Sequence, residues 1–206
     1  MSRSYLRQIE RRLKPGDHLC SFYETKAEQF HVVIPFLKRG LDLGEKCVYI
    51  ADENTVAEIK AGLFMQGVDV EKRLESGQLA VITARDFYLR LGRFDPHAMM
   101  KLVVSSVNEA VKEGYPAVRV AGESTWILRD LNSLDDFLQY EAMGNAALKG
   151  LPVKALCQYN VKRFLGEIII KVLKTHSRVL LGLDLYENPF CEPLVPPMGR
   201  SNPRAA

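Results

Sequence analysis

The residues with the most chemistry to offer stand just past the apolar, strand-like runs of this chain. Tyr23 and Glu24 end or follow the run 19–23, and Asp52 and Glu53 follow C-V-Y-I-A at 47–51. Arg85 and Tyr88 come after 79–83, and Glu123 and Trp126 after 117–121. Gln158 and Tyr159 close the run 153–159, while Glu187 and Asn188 follow 179–185. In open α/β sheets, ligands bind beyond the carboxyl ends of the strands, which is where these residues fall. Rings, carboxylates and amides in that mixture suit a small polar or weakly cationic ligand held by stacking and hydrogen bonds. The ligand-binding candidates are therefore Tyr23, Glu24, Glu53, Tyr88, Glu123, Trp126, Gln158 and Tyr159. The competing reading of each is an ordinary loop side chain facing water.

Catalytic patterns fail one by one. The turn after the first strand is where nucleotide enzymes keep a glycine-rich phosphate loop with a Lys and a Ser or Thr. Here it reads Y-E-T-K-A-E at 23–28, and a carboxylate at a helix N-terminus repels phosphate. Gly62 to Gly67 has the loop's glycine spacing, but Val68 stands where the Lys must be. Gly122-Glu123-Ser124-Thr125-Trp126 begins like a nucleophile elbow and lacks its second glycine. Asp52, Glu53 and Glu123 could act as paired acids, yet no nucleophile lies near them in sequence. His18, His31, His97 and His176 are scattered without metal-ligand spacing, so each is read as structural. The four cysteines, Cys20, Cys47, Cys157 and Cys191, form no C-x-x-C and read as small core residues in a reducing compartment. No catalytic residue, metal or cofactor is expected.

The elements that position these residues follow from periodicity. Phe30, Val33, Ile34, Leu37 and Leu41 recur at helical spacing around an internal Pro35. Asn54 or Thr55 caps a helix carrying Val56, Ile59 and Leu63, and a short helix 69–75 follows. Asp95 and Pro96 open the clearest helix, with Met99, Val103, Val107 and Ala110 on one face. The aromatic stretch 84–95 between them is expected to form a lid or a packed crossing. Further helices carry Leu134, Phe137, Leu138 and Glu141, and then 168–173. Strand and helix alternate about six times, with 179–185 as the last strand. This predicts an α/β fold of three layers, a mostly parallel sheet with helices on both faces.

Domain organisation is expected to be a basic amphipathic helix over 1–14, one domain over 15–192 and a disordered, proline-rich tail over 193–206. The length of 206 residues allows one domain with a substantial core. A net charge of +3 does not call for direct nucleic-acid binding, and no apolar run approaches the ~20 residues that cross a membrane. A cytoplasmic location is expected.

Short stretches then add up to a family. G-D-H-L-C-S-F-Y-E at 16–24, C-V-Y-I-A-D-E-N at 47–54, G-Q-L-A-V-I-T at 77–83 and G-R-F-D-P at 92–96 stand in order. Y-P-A-V-R-V-A-G-E-S-T-W at 115–126, A-L-C-Q-Y-N at 155–160 and Y-E-N-P-F at 186–190 continue the series. Together they resemble the MEDS domain, the methanogen/methylotroph, DcmR-type sensory domain. The resemblance implies a RecA/KaiC-like fold without a phosphate loop (no Walker A), a sensory role and hydrocarbon derivatives as ligands. It also implies signalling partners: a histidine kinase, an anti-sigma factor or a transcription regulator. Asp52-Glu53 resembles the acidic pair of KaiC-like ATPases, and Glu24 to Glu28 occupies the missing phosphate-loop position.

The function expected is a non-catalytic sensory or ligand-binding domain in signal transduction or transcriptional regulation, its ligand an unidentified small molecule. With no kinase or helix-turn-helix pattern in the sequence, output is expected through a partner or self-association. One alternative is a protein-interaction module for a kinase or anti-sigma partner with no small ligand. The other is a degenerate ATPase or a hydrolase using Glu53 or Glu123. Calorimetry with Mg-ATP is expected to give no binding heat at millimolar nucleotide, and a micromolar dissociation constant would overturn the sensory reading in favour of the ATPase.

Overall fold

The computed structural model describes residues 12–90 and 92–192. Most of the expected N-terminal helix and all of the tail 193–206 lie outside the described residues. Seven strands, β1 (Asp17–Tyr23), β2 (Lys46–Ala51), β3 (Leu79–Thr83), β4 (Val118–Glu123), β5 (Val153–Asn160), β6 (Arg178–Leu181) and β7 (Asp184–Glu187), form one sheet. Their order is β3-β2-β4-β5-β1-β6-β7, parallel throughout except for the antiparallel pair β6–β7. The helices are α1 (Lys26–Asp42), α2 (Val56–Met65), α3 (Val70–Glu75), α4 (Ala84–Tyr88), α5 (Pro96–Lys112), α6 (Leu134–Ala147) and α7 (Gly166–Lys174). Two 3₁₀ turns, Thr125–Arg129 and Leu131–Ser133, lie between β4 and α6.

Alternation along the strands sorts side chains to two faces. Leu19, Cys47, Tyr49, Ala121 and Leu156 pack with Val33, Leu37 and Leu41 of α1 and Ile59 and Leu63 of α2. Their neighbours Cys20, Ile50, Val118, Val153 and Ala155 pack with Met100, Val103 and Val107 of α5, Phe137 of α6 and Ile168 of α7. Both faces are therefore covered, as a buried parallel sheet requires. The helices start where the sequence signals said. Thr55 closes a capping box with Glu58, and Asp95 accepts from Ala98 N at 2.8 Å with Pro96 at the first helical position. Pro35 stays inside α1 without ending it. The stretch 84–95 forms α4 and a packed crossing, with Tyr88 and Phe94 buried.

One expectation changes. The run 179–185 is not a single strand. Gly182, at φ 55°, turns the chain after β6, and β7 comes back antiparallel. Glu187 and Asn188 therefore lie at the opposite end of the sheet from the other strand-end residues. Asn188 N donates to Ser177 O at 2.8 Å, and Arg178 Nε lies 3.1 Å from Glu187.

The α1-side face holds a buried ionic group near the strands' N-terminal ends. Glu45 receives Arg119 Nε of β4 and Lys154 Nζ of β5, the latter at 2.8 Å. Arg119 also donates to Phe36 O at 3.1 Å and lies 5.0 Å from that ring. Gly40 makes the room: a Cβ there would come within 2.6 Å of Cys47 Sγ and 2.7 Å of Arg119 Cδ. Burial disfavours the charged form of Glu45, but the hydrogen bonds and charges of Arg119 and Lys154 outweigh it and hold the carboxyl below its ordinary range. A depressed folded-state pKa stabilises above the unfolded value, and that stability is lost as pH falls through the folded one. Glu45→Gln leaves two buried cations short of a counter-charge and is expected to cost about 3–5 kcal/mol at pH 7 in urea unfolding. The gap from the parent protein should narrow as pH falls below the ordinary glutamate range and through the parent's lowered Glu45 pKa.

Candidate functional site

Parallel strands β4, β5 and β1 end side by side, and the residues just past them meet, but not as an open crevice. Glu123 at the end of β4 is fully buried. Its Oε1 accepts from Tyr49 OH at 2.6 Å and Asn54 Nδ2 at 2.9 Å. Its Oε2 accepts from the backbone N–H of Glu53 at 2.6 Å and of Asn54 at 3.1 Å. Asn54 in turn donates to Gln29 of α1 at 2.7 Å. Burial and the neighbouring Glu123 charge push the Tyr49 hydroxyl well above its ordinary pKa, so it remains a donor. Asp52 accepts from Thr125 Oγ1 at 2.7 Å and pairs with Arg129. The acids after β2 and β4 thus tie the β2–α2 turn to the end of β4.

Two expected site acids lie outside that buried network. Glu24 is exposed, 3.1 Å from Lys162, and Glu53 pairs with Arg163. At the head of α1, Glu28 N donates to Thr25 Oγ1 and Glu24 N to Glu28 Oε2 at 2.8 Å. Protein groups therefore satisfy donors that a phosphate would otherwise use.

The aromatic candidates are interior. Trp126 is 2% exposed and stacks on Tyr88 with ring centroids 4.6 Å apart, while Phe94 and Phe137 lie 5.1 and 5.6 Å from it. Tyr159 and Gln158 are buried at the end of β5, and Tyr23 at the end of β1. Tyr159 meets Phe164 and His176 edge-on at 5.5 and 5.9 Å. Of the eight candidates, Tyr88 lines an internal cavity.

That cavity lies between the sheet and helices α5 and α6. Ile50, Val120 and Ala155 form its sheet wall, Met100 and Val103 the α5 wall, and Tyr140 and Gly144 the α6 wall. Measured at the centres of water-sized molecules, it offers about 30 Å³. By that measure one water takes roughly 10–15 Å³, so a guest of two or three heavy atoms fits. Its polar edge is His18 of β1 and Cys157 of β5.

Behind this edge is a group that the sequence reading missed. Glu141 of α6, 1% exposed, places Oε2 3.1 Å from His18 Nε2 and 3.2 Å from His176 Nε2. Cys157 Sγ is 3.4 Å from His18 Nε2, and the two imidazole rings are 4.2 Å apart. Pairing explains the convergence: Cys20 is opposite both Cys157 on β5 and Val179 on β6, so His18 and Cys157 share a face and His176 enters just before β6. Gly144 permits it, because a Cβ there would come within 2.8 Å of the His18 ring. Burial and the neighbouring His176 lower the His18 pKa. Burial opposes ionisation of Glu141, yet the ring nitrogens of His176 and His18 prevail and hold it ionised far below its ordinary range. Burial, then the Glu141 charge, pushes the Cys157 thiol well up, which is the opposite of an activated nucleophile. Among the described residues these four are the group of His, Cys and acidic donors able to hold a metal ion, with ligand atoms all within 4.8 Å of one another.

Each oxygen of Glu123 accepts two hydrogen bonds from fixed donors, and Glu123→Gln would aim an NH₂ at some of them. Loss of charge-assisted bonds of this kind costs about 1.5–3 kcal/mol. A drop of that size in unfolding free energy is expected, with intact secondary structure; an unchanged melting temperature would show that the network does not hold the strand ends.

Among the described residues, no helix is long and apolar enough to cross a membrane. Over 175 residues the chain is 28% identical to the Transcriptional repressor DcmR of Methylorubrum extorquens, a match covering 84% of this chain and 61% of that protein. The chain thus spans less than two thirds of that relative's length. A family model of a sensory domain matches residues 17–177, which run from the first residue of β1 to the residue before β6 and so take in the cavity and the His18–Glu141–Cys157–His176 group. On that match the chain belongs to the MEDS family, the MEthanogen/methylotroph, DcmR Sensory domain.

Proposed function

We propose that this chain is a non-catalytic sensor that takes a small hydrocarbon derivative into the cavity between the sheet and helices α5 and α6. The carrying observation is the cavity itself: mostly apolar, with Ile50, Met100, Val103, Val120 and Ala155 among its walls, and sized for a few heavy atoms. An apolar pocket with a few placed polar groups is the usual form of a small-molecule site. The polar edge, His18 and Cys157, would meet a hydroxyl, a halogen or a thioether. Tyr88 is the expected site residue that touches the guest, and its hydroxyl sits over Gly122, where a Cβ would approach it to 3.1 Å. Trp126, stacked on Tyr88, is one ring removed from the guest. Glu123, Gln158 and Tyr159 act in this reading as the frame that closes the strand ends.

The same reading takes the sheet as RecA/KaiC-like, with its nucleotide corner filled by Thr25 and Glu28. Output passes to a transcription regulator or another signalling protein, as the repressor relative supports. A guest in this cavity lies against α5 and α6, and any shift of those helices reaches the surface.

The test is thermal unfolding with chloromethanes and methylated one-carbon compounds. A guest that binds only the folded state stabilises it by about 2.7 kcal/mol at a hundred times its dissociation constant. Ala155→Leu fills the cavity from the sheet side and is expected to keep the fold while abolishing the guest's effect. Absence of stabilisation in the parent protein, or equal stabilisation in the filled variant, overturns the proposal.

A further inference from the structure

We infer that His18, Glu141, Cys157 and His176 bind one divalent transition-metal ion of the zinc class. His176 Nδ1 lies 2.9 Å from Val172 O, an atom that can only accept, so Nδ1 carries the hydrogen. The Thr175 hydroxyl, 3.0 Å from that nitrogen, donates to the same carbonyl at 2.8 Å. In a neutral ring, Nε2 then presents a bare lone pair, and it faces Glu141 Oε2 at 3.2 Å. Two lone pairs at that distance repel unless a cation sits between them. The candidates are a proton, making His176 an imidazolium, or a metal ion.

Three features favour the metal. Glu141 Oε2 and His176 Nε2 are buried, close to each other, and without an aligned hydrogen-bond partner. A proton shared between them calls for alignment; convergence on a common third point does not. Three of the six spacings also come near those of a common centre, and all four ligand atoms lie within 4.8 Å of one another. With metal–nitrogen and metal–oxygen bonds near 2.0–2.1 Å and metal–sulfur near 2.3 Å, a tetrahedron has edges of roughly 3.3 Å for N···O and roughly 3.6 Å for N···S. The structure has 3.1 and 3.2 Å for the two nitrogen–oxygen edges and 3.4 Å for the nitrogen–sulfur edge. Finally, a doubly charged ion with one carboxylate and one thiolate makes a neutral centre, which removes the burden of a lone buried carboxylate.

The surroundings match what metal-binding imidazoles need. A ligand histidine donates its other N–H to a carbonyl or carboxylate, which fixes the tautomer and the ring orientation. Val172 O does this for His176. For His18, the Nδ1 atom is buried without a partner, as is Asn145 Oδ1. Imidazole, carboxylate and thiolate together suit zinc more than magnesium or calcium. Four protein ligands make a closed site, so the ion would pin β1, β5, α6 and the segment before β6 together at the polar edge of the cavity. This inference is independent of the sensory reading, since metal uptake and guest binding are measured separately.

The experiment uses the whole chain, stripped with a chelator and titrated with cobalt(II) as a coloured stand-in for zinc. One equivalent is expected to bind, with visible bands of a four-coordinate ion and a near-ultraviolet thiolate-to-cobalt transition, and zinc should displace it. Cys157→Ser should remove the thiolate transition and His176→Gln should weaken uptake, each lowering affinity by at least about 100-fold. Cys191→Ser should change neither. Circular dichroism of the stripped proteins checks that they remain folded. Should a variant unfold, the parent titration still decides: a folded parent that takes up no cobalt carries only a shared proton between Glu141 and His176, and the inference is overturned. Uptake without a thiolate transition, or uptake unaffected by both variants, places the ion elsewhere and overturns it equally.

Discussion

A carboxylate with almost no exposed surface, Glu141, sets the terms for one face of this protein. An ionised acid in a low-dielectric interior is tolerated only with cationic or donor groups close around it. Those groups come from β1, β5 and the segment just before β6, so the position of α6 on the sheet is fixed by charge as well as by apolar packing. Along α6 the buried residues Phe137, Tyr140, Glu141 and Gly144 fall at helical spacing, and the two in the middle of the face do different work. Tyr140 is part of the aromatic group around Tyr88 and Phe94, while Glu141 engages the imidazoles. Gly144 then lets the helix come close enough for His18 to reach the acid. A larger side chain there would lift α6 off the sheet and separate the charge from its partners.

The opposite face solves the same problem with fixed cations. Glu45 lies between Arg119 and Lys154, and Gly40 supplies the clearance. Glu123, at the other end of the strands, relies instead on neutral donors, two of them backbone N–H groups. Three buried acids thus join helices or turns to the central strands β4, β5 and β1 by three chemistries. The Glu45 and Glu123 groups leave little chemical freedom, because each acid is matched by strong donors that stay charged or fixed. The Glu141 group differs: its partners are imidazoles and a thiol, side-chain types that also serve as metal ligands.

Much of the frame was legible in the sequence because periodicity reports burial directly. The stripe Met99, Val103, Val107 and Ala110 behind Asp95-Pro96 could be little other than a helix, and C-V-Y-I-A little other than a covered strand. The hairpin β6–β7 was hidden because L-L-G-L-D-L carries no polar break, and only Gly182 marks the turn. Apart from Glu187 and Asn188, which the hairpin carries to the other end of the sheet, the strand-end residues do follow their strands, but depth was not readable. Trp126 and Tyr159 follow strands as site aromatics would, yet each is held by other rings. Glu123 looked available because its partners Tyr49 and Asn54 come from another strand and the turn after it. The Glu141 group was invisible for a similar reason: His18 and Cys157 are 139 positions apart, and only the β1–β5 register brings them to one face. The one local sign was an acid, Glu141, on the apolar side of its helix, followed three residues later by a glycine.

In nucleotide-binding α/β proteins, backbone donors at a helix head and side chains past the strand ends form the site together. Both resources are consumed here. Thr25 and Glu28 satisfy the head of α1, and Glu123 draws the β2–α2 turn across the end of β4. On the proposed reading the guest lies on the face of the sheet, midway along the strands, where apolar residues alternate into the α5–α6 layer. A site in that position has no access to many polar groups, which limits it to small, weakly polar molecules. On the same reading, entry of a guest moves α5 or α6 relative to the sheet, and that movement is what makes the protein a sensor. Of the two helices over the guest, α6 is the one that Glu141 and its imidazoles tie to the sheet, and occupancy of the cavity is on this reading written into the packing of an outer layer.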